Sequence, residues 1–269
     1  TAMNVTLKTK YDIEYPTDNF KYYNANSGPR KRITKLLLKA CNGYCMYCGK
    51  RVTVESNENY HIEHSVDKDG NGHQEIDETG ALEHCKFNLA ISCSECNQVC
   101  KKVVEKVDLL KYAPIHKCPK KCIDLCPQYN EIRKEYIKKN AIILQPIGID
   151  SLGDGAVSYN LLKHIFEPSE EIHDEDSIFL IQNHIDRFKL NAERFSPEII
   201  NLCVKITGLI DMGAKDVESL FRQLELEKPE NIIGIEFIKY LKCNLGEQTC
   251  KEIDRFCRML VVLDAAYGF

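Results

Sequence analysis

Apolar residues at Ile33, Leu36, Leu37 and Ala40 recur at helical spacing among lysines and arginines, which predicts an amphipathic helix. Pro29 suits its first turn, and Asn42-Gly43 suits a stop just after Cys41. From there to about His64 the pattern shortens to β-prone Val52, Val54, Tyr60 and Ile62. Residues 65–87 are polar, acidic and glycine-containing, and read as a long loop of a kind that usually serves function. A brief strand is expected at Asn88–Ser92, then a helix from Ser94 with Val99, Val103, Val107 and Leu110 on one face and Pro114 at its end. Residues 114–140, rich in Cys, Lys and Pro, read as a boundary. Beyond Ser151 helical periodicity dominates. Ser196-Pro197 opens one helix as cap and first residue, and Gln248 to about Leu263 forms another.

Composition adds three points. Apolar runs no longer than Leu36–Leu38 or Ala141–Leu144 leave no bilayer-spanning helix, so no membrane partner is expected. Lys8, Lys10, Asp12 and Glu14 break up any secretory hydrophobic stretch, which points to a reducing, cytoplasmic compartment. There, fourteen cysteines read as metal ligands, core residues or catalytic thiols before disulfides. Charge divides the chain: residues 151–269 carry 13 Lys or Arg against 21 Asp or Glu, whereas residues 1–150 carry 23 against 19. Gly28–Arg51 holds Arg30, Lys31, Arg32, Lys35, Lys39, Lys50 and Arg51 with no acid. Such a stretch is either a solvated helix face or a local phosphate-binding face on an otherwise acidic protein.

The strongest chemical signal is a pair of knuckles, Cys45-Met-Tyr-Cys48 and Cys93-Ser-Glu-Cys96. Two residues between thiolates let one tight turn aim both sulfurs at one ion, and two such turns complete a tetrahedral zinc site. The alternative is unligated thiols. The 44 residues between the knuckles exceed a simple zinc ribbon, so something is inserted. The insert carries His61-Ile-Glu-His64, and Asn97 follows the last cysteine. A carboxylate, an amide oxygen and an imidazole are what one divalent cation and a neighbouring base need to hydrolyse a phosphodiester.

Cys45-Met-Tyr-Cys48-Gly49, His61-Ile-Glu-His64, Phe87-Asn88-Leu89 and Cys93-Ser-Glu-Cys96-Asn97, in that order, resemble an HNH endonuclease. The resemblance spans roughly residues 41–112. It implies an α+β fold, a zinc-stabilised ββα-metal core followed by a mostly α-helical domain, in which structural Zn2+ at Cys45, Cys48, Cys93 and Cys96 braces a DNA-gripping unit. By position, Glu63 and Asn97 stand as ligands of a catalytic Mg2+ or Mn2+. His64 stands as the general base, and Asn88 as the asparagine that supports the loop and orients it. His61, Lys50, Arg51, Lys101 and Lys102 are the candidate contacts to the nucleic-acid backbone. The family's usual aspartate is Glu63 here, and its lysine three residues after the asparagine is Cys100, with Lys101 one place on. Strict strand alternation turns His64 away from Glu63, so the geometry requires His64 to fall where the strand gives way to the loop. His-Ile-Glu-His, with His184-Ile-Asp-Arg-Phe-Lys-Leu-Asn191, also resembles HNH effectors of retron and Septu anti-phage systems. That implies a partner ATPase, docked on or restrained by the acidic second half.

Other motifs compete. Asp67-Lys-Asp69-Gly-Asn71-Gly72 with Glu78 fits a calcium-loop pattern, but a strand precedes it and Gln74 takes the usual apolar position, so a solvated acidic loop is the stronger reading. Cys118, Cys122 and Cys126, with His116 upstream, make either a second zinc site or an ordinary cysteine face. Cys243, Cys250 and Cys257 repeat at seven residues, as a helical core stripe would. The resulting division is an N-terminal extension (1–29), a nuclease domain (30–113), a connector (114–150) and a helical domain (151–269). The competing function is a non-catalytic zinc-knuckle module that binds nucleic acid or scaffolds a partner; it needs the four thiolates but not His64 or Asn97.

Overall fold

The computed structural model describes residues 3–54, 57–67, 81–102, 104–115, 119–192, 197–214, 216–226, 228–246 and 249–267. The first helix, α1 (Gly28–Ala40), begins where Ser27 caps it by accepting from the Arg30 amide and Pro29 enters the first turn. Its Ile33 and Leu37 are fully buried, and the helix packs on strand β5 (Leu89–Ser92). Between them lie the short ladder of β2 (Thr53–Val54) with β3 (Asn57–Glu58), strand β4 (His61–His64) and a single turn, α2 (Ala81–His84). β4 and β5 pair antiparallel, with Ile62 opposite Ile91 and His64 opposite Leu89.

The helix expected from Ser94 to Pro114 is far shorter. It closes as a π turn over Cys96–Cys100, where the Lys101 amide reaches back five residues to the Cys96 carbonyl at 3.1 Å. Val99 and Leu110, assigned to an apolar stripe, are exposed, and of the described stripe positions only Val107 is buried. Cys96 and Cys100, four residues apart, are both buried, while Val99 between them faces solvent.

The second half is a helical layer built on a small sheet. Strands β6 (Val157–Asn160) and β7 (Ile165–Pro168) pair antiparallel, and β1 (Asn4–Leu7) pairs with β6 on its other edge. The N-terminal segment, expected to stand apart as an extension, thus belongs to the sheet of the second half. Helices α4 (Glu175–Arg187), α5 (Pro197–Asp211), α6 (Val217–Leu226), α7 (Ile232–Leu245) and α8 (Cys250–Tyr267) follow. The connector holds a helix that composition hid, α3 (Pro127–Asn140), because its Lys and Glu residues leave only a narrow buried row of Tyr129, Ile132 and Tyr136. Cys257 is buried, but Cys250 is partly and Cys243 fully exposed, so the seven-residue cysteine repeat is not a continuous core stripe. No described helix is long and apolar enough to cross a membrane.

The halves meet at the first cysteine knuckle. The Ile232 amide donates to the Gly49 carbonyl at 2.8 Å, and the Asn231 side chain, which caps α7, donates to the Cys48 carbonyl at 3.0 Å. Gly49 has φ +72°, and a β-carbon there would stand 2.6 Å from Ile232. Only glycine admits so close an approach in that conformation.

Candidate functional site

Cys45, Cys48, Cys93 and Cys96 converge: their sulfurs lie within 4.8 Å of one another and all four residues are buried. Four ligands about 2.3 Å from one tetrahedral ion put neighbouring sulfurs about 3.8 Å apart, and the Cys48 and Cys93 sulfurs are 3.7 Å apart. This group can hold a structural metal such as zinc. Each knuckle supplies its own turn, with the Gly49 amide bonded to the Cys45 carbonyl and the Asn97 amide to the Cys93 carbonyl.

The second candidate zinc group is only half described. His116 and Cys118 lie outside the described residues. Cys126 caps α3 by accepting from the Tyr129 amide at 3.3 Å, and the Cys122 thiol points at the Asp124 carbonyl. Among the described residues the four-cysteine group is the only cluster of three or more His, Cys, Asp or Glu side chains that could hold a metal. Of the calcium-like motif only Asp67 is described, 3.9 Å from the Lys106 ammonium.

One cleft, of about 370 Å³, brings together Glu63, His64, Asn97 and Lys102. His64 is the last residue of β4, the position its role requires, so it shares the cleft with Glu63 despite strand alternation. The His64 Nε2 lies 2.9 Å from the Glu83 carbonyl. A carbonyl only accepts, so Nε2 carries the proton and the basic lone pair falls on Nδ1. The Tyr23 ring stands edge-on to the imidazole, centroids 4.4 Å apart.

Asn88 is fully buried and does not touch the cleft. Its amide donates to the Val66 and Leu82 carbonyls, both at 2.9 Å, and its oxygen accepts from the Val66 amide and the Tyr129 hydroxyl, both at 2.7 Å. Those bonds tie the start of the long loop to α2, which carries the Glu83 carbonyl on His64. Asn88, expected to support the loop and orient the base, holds the loop through these bonds from outside the cleft.

Glu63 is the main departure from expectation. Its carboxylate is 3% exposed, and both oxygens are engaged: Oε1 accepts from the Tyr47 hydroxyl, and Oε2 from the Lys101 ammonium at 2.6 Å. Lys101 spends its other protons on the His64 and Ser65 carbonyls at 2.7 and 3.1 Å. A magnesium or manganese ion does not fit this arrangement, because a cation already stands on the oxygen it would take. Lys101, expected on a phosphate, is buried for the same reason: the π turn swings it inward.

Arg51 is likewise not a free phosphate contact. Its guanidinium binds the Glu230 carboxylate and the Lys228 carbonyl of the second half. Lys50 is exposed, but its backbone bridges Asn231 and it lines neither cleft beside β4. Lys102 does line the His64 cleft, and His61 lines the neighbouring one, its Nε2 3.2 Å from the Ser94 hydroxyl.

Tyr47 went unread in the sequence, although its place between two zinc-type cysteines was the available signal. Burial and the adjoining Glu63 carboxylate push its pKa well up, so it stays a proton donor to Glu63. The helical half holds it: Phe188 stacks on its ring, centroids 4.8 Å apart, and Phe188 in turn lies against His184 at 4.6 Å. Burial pushes the His184 pKa down to about 3; its Nδ1 accepts from the Ile143 amide at 3.2 Å. Thus the 184–191 segment braces the site from behind. No family model, curated protein or solved structure matches this chain.

Proposed function

We propose that the chain is a nuclease of the HNH type, hydrolysing phosphodiester bonds of nucleic acid, DNA by preference, from a ββα unit braced by zinc on the four knuckle thiolates. The observation that carries this reading is that His64 and Asn97 line one cleft, with the His64 Nε2 on the Glu83 carbonyl, which puts the ring's lone pair on Nδ1. In the proposed reaction Nδ1 takes a proton from water as the water oxygen attacks phosphorus. The bond to the leaving oxygen breaks in line, and that oxygen takes up a proton from solvent. Lys102 on the cleft rim and the Asn97 amide face the charge that develops. Magnesium or manganese at Glu63 would first require Lys101 to leave. The resemblance to retron and Septu effectors extends the proposal to an anti-phage role beside a partner ATPase, with the acidic helical half as the docking surface.

One observation favours a second reading, a zinc-knuckle scaffold without catalysis: the Glu63–Lys101 pair is closed and neutralised. Plasmid nicking by the full chain, with and without EDTA and with the partner ATPase supplied, separates the two. For the nuclease, His64→Ala abolishes nicking while far-ultraviolet circular dichroism and zinc content stay unchanged. Nicking that survives in a folded His64→Ala chain removes the mechanism.

A further inference from the structure

Beside the His64 cleft lies a larger one of about 600 Å³ that shares Tyr23, Ile62 and Asn97 with it. Its wall is α1, which turns two rows into it, Arg30 with Thr34 and Lys31 with Lys35, each pair four residues apart. Among the described residues no carboxylate lines it, whereas the His64 cleft holds Glu63 and Asp67. Lys31 and Lys35 are exposed, and among the described residues neither has an ion-pair partner. Arg30 is fixed in place: it donates to the Tyr23 carbonyl at 2.6 Å and lies over the Tyr23 ring, 4.6 Å from its centroid. Tyr60 and His61 complete the cleft. Cations without counter-charge, set among aromatic rings in a concavity, make a surface suited to a phosphate backbone whose bases are unstacked.

We infer that the α1 cleft is the track for a single-stranded stretch of nucleic acid, which leads its backbone past Asn97 to His64. This rests on the nuclease reading and names the form of its substrate. A duplex buries its base faces in its own stack, and so offers nothing to rings recessed beside the cations. A single strand offers both a phosphate to Lys31 and Lys35 and a base face to Tyr60.

The test is equilibrium binding by fluorescence anisotropy, with the full zinc-loaded chain carrying His64→Ala so that nothing is cut. The probes are a labelled oligothymidylate and the same strand annealed to its complement. Lys31→Ala/Lys35→Ala should weaken binding of the strand at least tenfold and flatten the slope of log affinity against log salt by about 1.4, two phosphates' worth. Tyr60→Ala should cost about tenfold through lost stacking. Lys39→Ala, a cation on the same helix that lines neither cleft, should change nothing. Wild-type affinity and slope in the double variant, tighter binding of the duplex, or an equal loss with Lys39→Ala each overturns the inference. Binding that follows the expected pattern without any cleavage of the oligothymidylate by the His64 chain supports the track and removes the nuclease; cleavage of that strand without the pattern does the reverse.

Discussion

The two halves are held together by different means. The second half buries long apolar rows, such as Ile181 and Ile185 on α4 with Phe188 just past its end, and Phe237, Ile238 and Leu241 on α7, so non-directional burial suffices to hold it. Among its described residues the first half has, besides α1 and α3, only strands of two to four residues and short helical turns, one of them a π turn. Directional contacts take over there: four thiolates around one point, Asn88 spanning the loop, and Lys101 pinning the strand end to the π turn. A scaffold held by so few directional contacts is one that single substitutions can undo.

The sharpest way to break the contrast is Cys48→Ser. A structural zinc site contributes folding free energy outright, about 10 kcal/mol or more. The variant should lose its zinc and the hydrogen-exchange protection of residues 45–52 and 89–97, while α5 to α8 stay protected. Equal loss in both halves would mean they form one cooperative unit.

Next comes Lys101→Met, which leaves the buried Glu63 carboxylate with Tyr47 alone. Breaking a buried ion pair on one side costs about 3–5 kcal/mol. Urea denaturation should show that loss, and adding Glu63→Gln should recover most of it. The freed carboxylate should also bind Mn2+ more tightly than in the unchanged chain, by isothermal titration calorimetry.

A smaller effect tests the brace from the helical half. His184 is neutral in the fold, with its pKa near 3 because of burial, and about 6.5 when unfolded. Between those values the unfolded chain binds the extra proton, so this residue's contribution is complete above about pH 6.5 and shrinks as pH falls toward 3. The slope is up to about 1.4 kcal/mol per pH unit. Thermal unfolding of His184→Gln should depend less on pH across that window than the unchanged chain.

The smallest expected change is Asn231→Ala, which removes the cap of α7 and the bond to Cys48 together. A lost cap costs about 1 kcal/mol. The useful readout is zinc exchange with a chelator, which should quicken if the helical half steadies the knuckle.

Much of this was written in local pattern. The cysteine spacing named the four converging thiols because two-residue gaps constrain a turn wherever the turn sits, and Pro29 and the Ile33–Leu37 row marked α1 for equally local reasons. His64 and Asn97 were legible as a pair only through the order of motifs, and the fold brings them to one cleft. What sequence could not express was which partner a charged side chain would choose. Lys101 and Arg51 look alike as surface cations, yet one is buried on Glu63 and the other is spent on Glu230, 179 residues away. Nor did periodicity foresee β1 joining β6, a pairing across some 150 residues, or Tyr47 reaching Glu63 with Phe188 behind it. Local geometry is set by neighbours along the chain. The state of a charge or a hydroxyl is set by whatever the packed core brings beside it, and that is decided only when distant segments meet.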